Sequence, residues 1–100
     1  MSDPAMLLVA DDDPAIRQSL ERTLTREGYQ VALAPDGYAA LDRLRAGGVD
    51  LVLSDLKMPG LTGLELLREV KAVAPDVDVI MLTAFGTVEE AVKAMKDGAV

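Results

Sequence analysis

The sequence has no cysteine, no histidine and no tryptophan, and each absence removes a class of chemistry. Without cysteine there is no disulfide framework and no thiolate metal site. Without histidine there is no Ser–His or Cys–His hydrolase machinery, and the commonest general base at neutral pH is missing. Aromatic residues are scarce, with Tyr29, Tyr38 and Phe85 alone, so any core must be built from Leu, Val, Ile, Met and Ala. No apolar run approaches the roughly 20 residues of a membrane span, because charged residues interrupt every stretch. The opening Met1-Ser2-Asp3-Pro4 lacks the basic start and apolar centre of a secretory signal. A soluble, cytoplasmic chain with no membrane partner is expected. Its net charge of −7 repels nucleic acid phosphates, so direct nucleic acid binding by this segment is not expected.

What remains is a chain of 100 residues, half of them hydrophobic, enough for one small domain with a real core. Short apolar runs alternate with amphipathic stretches. Residues 5–10 form a compact apolar run that meets Asp11-Asp12-Asp13. Asp13 is placed to cap a helix with Pro14 at its first position, where a missing N–H does no harm. Ile16, Leu20 and Leu24 recur on one face of that helix, and Gly28 ends it. Residues 30–34 read as a second strand, and Pro35-Asp36-Gly37 as a turn. The next helix is expected to turn Tyr38, Leu41 and Leu44 inward before Gly47-Gly48. A third strand covers residues 49–54 and ends at Asp55. Thr62 and Glu65 have capping-box spacing, with Leu64, Leu67 and Val70 expected on the inner face. A fourth strand covers residues 77–82, and Thr87 with Glu90 starts a last helix that Gly98 closes. Continuous apolar strands alternating with helices predict a doubly wound α/β domain, a parallel sheet covered on both faces.

Ligands of such sheets bind at the carboxyl ends of the strands. The first predicted strand ends in Asp11 and Asp12, the third in Asp55, and the fourth in Thr83 and Ala84. Taken singly, each has an ordinary structural reading, as a helix cap, a solvated loop acid or a strand-end hydroxyl. Asp13 keeps that reading as a cap. Taken together, they put acids from distant segments on one rim, and like charges repel unless a cation sits among them. Magnesium suits oxygen ligands and retains waters for phosphate partners. A carboxylate beside such an ion is a nucleophile toward a phosphoryl donor.

Three segments carry a family resemblance: Val9-Ala10-Asp11-Asp12-Asp13, Leu53-Ser54-Asp55-Leu56-Lys57-Met58-Pro59-Gly60-Leu61-Thr62-Gly63, and Met81-Leu82-Thr83-Ala84. They resemble the signature segments of bacterial two-component response-regulator receiver domains, and the likeness covers essentially the whole chain. It implies a flavodoxin-like sheet of strand order 2-1-3-4 in a receiver domain over residues 1–100. It implies that Asp55 accepts the phosphoryl group from a sensor histidine kinase. Mg2+ would be held by Asp12, Asp55 and the backbone carbonyl of Lys57, with Asp11 acting through water. Thr83 would be the switch hydroxyl, assisted by the Ala84 N–H, while Pro59 and Gly63 shape the loop. Such a domain is a phosphoacceptor switch and not a turnover enzyme. The stretch from Thr83 to Val92, with Met95-Lys96-Asp97-Gly98-Ala99, looks like receivers of the nitrogen-regulatory enhancer-binding class, which implies control of transcription.

The resemblance also implies a fifth strand and fifth helix beyond Val100, with a lysine and an aromatic switch partner that no residue here matches. On that reading the receiver domain is incomplete, with weakened phosphoryl transfer. The fourth strand becomes an apolar edge and one sheet face lies uncovered, so self-association is expected. The alternatives are a fragment that folds by oligomerisation with little activity, and a Mg2+-dependent phosphohydrolase using Asp55. The phosphohydrolase pattern has a second acid two residues after the nucleophile, and Lys57 stands there instead. Nucleotide binding is weaker still, because no glycine-rich loop follows a strand.

Overall fold

A computed structural model describes residues 4–55, 58 and 60–82. Seven elements follow one another: β1 (Met6–Ala10), α1 (Pro14–Arg26), β2 (Gln30–Ala34), α2 (Gly37–Arg45), β3 (Leu51–Asp55), α3 (Gly63–Val73) and β4 (Asp78–Leu82). The four strands form one parallel sheet in the order β2-β1-β3-β4. That order is the expected one. Strand ends differ from expectation by one or two residues, and Asp55 lies inside β3, paired with Leu82. The last expected helix, with its Thr87–Glu90 box, lies outside the described residues. Among the described residues no helix is long and apolar enough to cross a membrane.

The layering follows from chain direction. From β1 the chain moves to β2 on one side, then returns across β1 to β3 on the other. Right-handed crossovers in opposite directions must put their helices on opposite faces of the sheet. The side chains of β1 show this at period two. Leu7 and Val9 join Leu20 and Leu24 of α1 and Leu53 in one cluster. Leu8 and Ala10 join Leu41 and Leu44 of α2, Leu66 and Val70 of α3, and Val52 in the other.

Three helix starts are secured by side chains that accept otherwise unpaired N–H groups. The Asp13 carboxylate accepts from the Ala15 N–H at 2.9 Å, and that of Asp36 from the Ala39 N–H at 2.8 Å. Thr62 and Glu65 close the expected capping box, with both bonds at 3.2 Å. Where the sequence reading errs is in helical phase. Tyr38 is 60% exposed and Ile16 40% exposed, so neither faces the core as expected. Gly37, Ala40, Leu41 and Leu44 form the buried side of α2, which turns Tyr38 outward over the loop that follows β3. On α3, Leu66 is fully buried and Leu67 only partly; the side chain of Leu64 lies outside the described ones.

Described residues after β3 are anchored in the core. Met58 and Leu61 are both buried in the α2–α3 cluster. Gly60 has φ +80°, a conformation that favours glycine, and a Cβ there would come within 2.9 Å of the Tyr38 ring. Gly37 packs directly on Leu61, where a Cβ would meet the Leu61 Cβ at 2.7 Å. Alanine is intrinsically the better helix former, yet Gly37→Ala is expected to destabilise the fold by about 1–3 kcal/mol, the usual cost of overpacking. Urea unfolding measures this directly, and a stabilised variant would contradict the packing.

Candidate functional site

The β1 and β3 strands are neighbours, with Ala10 opposite Ser54. The residues one step further along are Asp11 and Asp55. The chain leaves β1 in one direction for β2, and β3 lies on the other side, so the crevice beyond these two strands is where strand order reverses. That is the usual ligand position in an open α/β sheet. Asp12 stands at the same edge, in the turn between β1 and α1.

The three carboxylates converge. Asp11, Asp12 and Asp55 each offer an oxygen, and these oxygens lie within 4.8 Å of one another. Their environments differ: Asp11 is 2% exposed, Asp55 is half-buried and Asp12 is exposed. Asp11 is held on several sides. Its N–H donates to the Ala34 carbonyl at 3.1 Å, and its Oδ1 accepts from the Asp13 N–H at 2.9 Å. Its carbonyl oxygen accepts from Arg17 Nη1 at 2.7 Å. Asp13 is therefore doubly engaged, as cap of α1 through its side chain and as donor to Asp11 through its backbone. Next to Asp55, the buried Ser54 hydroxyl donates to the Asp55 carbonyl at 3.0 Å, which satisfies a polar group in the core.

Burial pushes the Asp11 carboxyl above its ordinary value, and the charges of Asp55, Asp12 and Asp13 push it further; the Asp13 N–H pulls the other way. A proton or a cation relieves the same strain. Oxygen ligands of Mg2+ sit at about 2.0–2.1 Å, so opposed ligands are about 4.2 Å apart. Carboxylate oxygens within 4.8 Å of one another are on that scale. The donor set is all oxygen and anionic, which suits a hard cation such as Mg2+. The residues therefore fit the ion implied by the sequence.

Of the site residues expected from sequence, the structure brings Asp11, Asp12 and Asp55 together. Lys57, Pro59, Thr83 and Ala84 lie outside the described residues. Leu82, just before Thr83, pairs with Asp55. Sequence reasoning missed Arg17, whose bond to a backbone carbonyl six residues back follows no side-chain pattern.

Comparison with known proteins identifies the family. The sequence matches the family described as response regulator receiver domain over residues 7–100. It is 43% identical over 96 residues to the response regulator MprA of Mycolicibacterium vanbaalenii, covering 96% of this chain and 42% of that protein. It is 44% identical over 95 residues to the transcriptional regulatory protein GlrR of Escherichia coli, covering 95% of this chain and 21% of that protein. The chain thus spans less than half the length of these relatives. Among solved structures, the response regulator TrrA of Thermotoga maritima in complex with Mg2+-BeF superposes with a TM-score of 0.77 at 36% identity, covering 91% of this chain and 79% of that one. TrrA in complex with the histidine kinase ThkA gives a TM-score of 0.76 at 40% identity, covering 83% of this chain and 72% of that one.

The raised Asp11 value carries a pH dependence whose sign is fixed. The folded state binds the Asp11 proton more tightly than the unfolded chain does, so this group's contribution declines as pH rises through and above the ordinary carboxylate range. Asp11→Asn removes that charge while keeping an acceptor for the Asp13 N–H. Without divalent ions, the variant should match wild type near pH 4 and exceed it in stability at pH 7, because the buried charge and its repulsion by Asp55, Asp12 and Asp13 are gone. Urea unfolding at both pH values checks this; a variant less stable at pH 7 would contradict the account.

Proposed function

The chain belongs to the response regulator receiver domain family, and from that premise we propose that it is a Mg2+-dependent phosphoacceptor switch in which Asp55 takes the phosphoryl group. The observation that carries this reading is the convergence of Asp11, Asp12 and Asp55 within 4.8 Å at the crevice where strand order reverses. Asp12 and Asp55 would hold the ion with the Lys57 carbonyl, and the more buried Asp11 would hold it through water. When bound, Mg2+ neutralises charge developing on the transferring group.

The protein's own part is positioning. Asp55 is fixed by β3, whose pairing with both β1 and β4 leaves little freedom to the strand end. An Asp55 carboxylate oxygen attacks phosphorus as the bond from phosphorus to the donor breaks, and the electron pair of that bond leaves with the donor. With a histidine kinase as donor, the leaving atom is an imidazole nitrogen. A kinase partner is supported by the likeness to TrrA, which has been solved with the histidine kinase ThkA. The hydroxyl of Thr83, next in the chain after the partner of Asp55 in β4, would then turn toward the added charge, assisted by the Ala84 N–H. The likeness to a transcriptional regulatory protein supports control of transcription as the output, in a cytoplasmic setting.

Acetyl phosphate serves as a small donor for the test. With Mg2+, intact mass should show one phosphoryl group on the wild type and none on Asp55→Asn or on wild type with the metal chelated. No gain on the wild type, or an equal gain on the variant, would reject Asp55 as acceptor.

A further inference from the structure

The junction of β1 and α1 is held by a contact that phosphoryl transfer does not itself use. Arg17, in the first turns of α1 and partly buried, donates from Nη1 to the Asp11 carbonyl at 2.7 Å. Its own backbone N–H donates to the Asp13 carbonyl at 3.1 Å. One residue therefore ties the start of the helix to the end of the strand. Neither the Arg45–Asp42 nor the Lys71–Asp78 ion pair involves it. Arg17 thus directs its charge to a backbone oxygen.

The position of that bond matters. A carbonyl oxygen shares a rigid plane with the nitrogen of the next residue. Fixing the Asp11 carbonyl therefore fixes the plane from which Asp12 departs. Asp12 is exposed, so packing does little to hold it, and the orientation of this peptide decides whether its carboxylate meets those of Asp11 and Asp55. We propose that Arg17 is a positioning residue for the divalent cation, acting through the Asp11 peptide and not by touching the ion. This rests on the reading of the three carboxylates as a Mg2+ site.

Two effects of Arg17 on a cation have opposite signs. Its charge repels Mg2+, so removing charge alone would tighten binding. Its hydrogen bond holds Asp12 in register, so removing the bond loosens the site and weakens binding. Groups that orient metal ligands commonly contribute tenfold or more to affinity. The sign of the change therefore decides which role Arg17 has.

The test is an amide NMR titration with Mg2+ alone on wild type, Arg17→Met and Arg17→Gln. Methionine keeps much of the apolar stem without a donor; glutamine keeps polarity but is too short to reach the carbonyl. Wild type should show saturable shifts at Asp12 and Asp55, and both variants should bind about tenfold more weakly. With acetyl phosphate, the variants should need correspondingly more Mg2+ for half-maximal phosphorylation, while the rate at saturating Mg2+ approaches that of wild type. Unchanged or tighter Mg2+ binding in whichever variant is folded would overturn the role of Arg17. No saturable shift in wild type would instead overturn the Mg2+ reading of the site, and this inference with it.

Discussion

The pairing of β1 with β3 is the constraint on which the rest of this structure depends. Its register sets Ala10 beside Ser54, which delivers Asp11 and Asp55 to the same edge from segments more than forty residues apart in sequence. A slip of one residue would turn every side chain of the strand to the opposite face. Here that slip would exchange Leu7 and Val9 for Leu8 and Ala10 between two separate clusters, so the cores on both faces defend the register. The packing that stabilises the sheet is also what forces the carboxylates together.

That proximity sets like charges against one another. Burial and three neighbouring negative charges all raise the Asp11 carboxyl value, and the fold tolerates this by anchoring the acid through its N–H, its carbonyl and its carboxylate. On the proposed reading, a cation would find the anions assembled in advance and need little further ordering. Beyond Asp55, Met58 and Leu61 are held by burial in the core, and Gly60 by the close approach of Tyr38.

Much of this was legible in the sequence because parallel strands buried on both faces read as continuous apolar runs, and because caps such as Asp13 and the Thr62–Glu65 box rely on local chemistry. The acids at the rim followed from strand ends alone. Helical phase was less legible. Ile16 and Tyr38 are apolar enough to be assigned inward, yet α1 buries Leu20 and Leu24 and α2 buries Gly37, Ala40, Leu41 and Leu44 instead, and both are exposed. Leu66 escaped notice because α3 carries leucines at several phases, and only the geometry of its approach to the sheet selects one. Arg17 left no signal, since a side chain that seeks a backbone carbonyl needs no partner residue type.

The central claim is that Asp11, Asp12 and Asp55 form one cation site defined by strand register. Mn2+ prefers the same carboxylate and water ligands as Mg2+ and broadens the NMR signals of nearby nuclei. At substoichiometric Mn2+, the account predicts broadening concentrated on Asp11, Asp12 and Asp55 and the residues adjoining them, reversed by excess Mg2+. Broadening spread over the chain's 17 acidic residues, or unaffected by Mg2+, would contradict it.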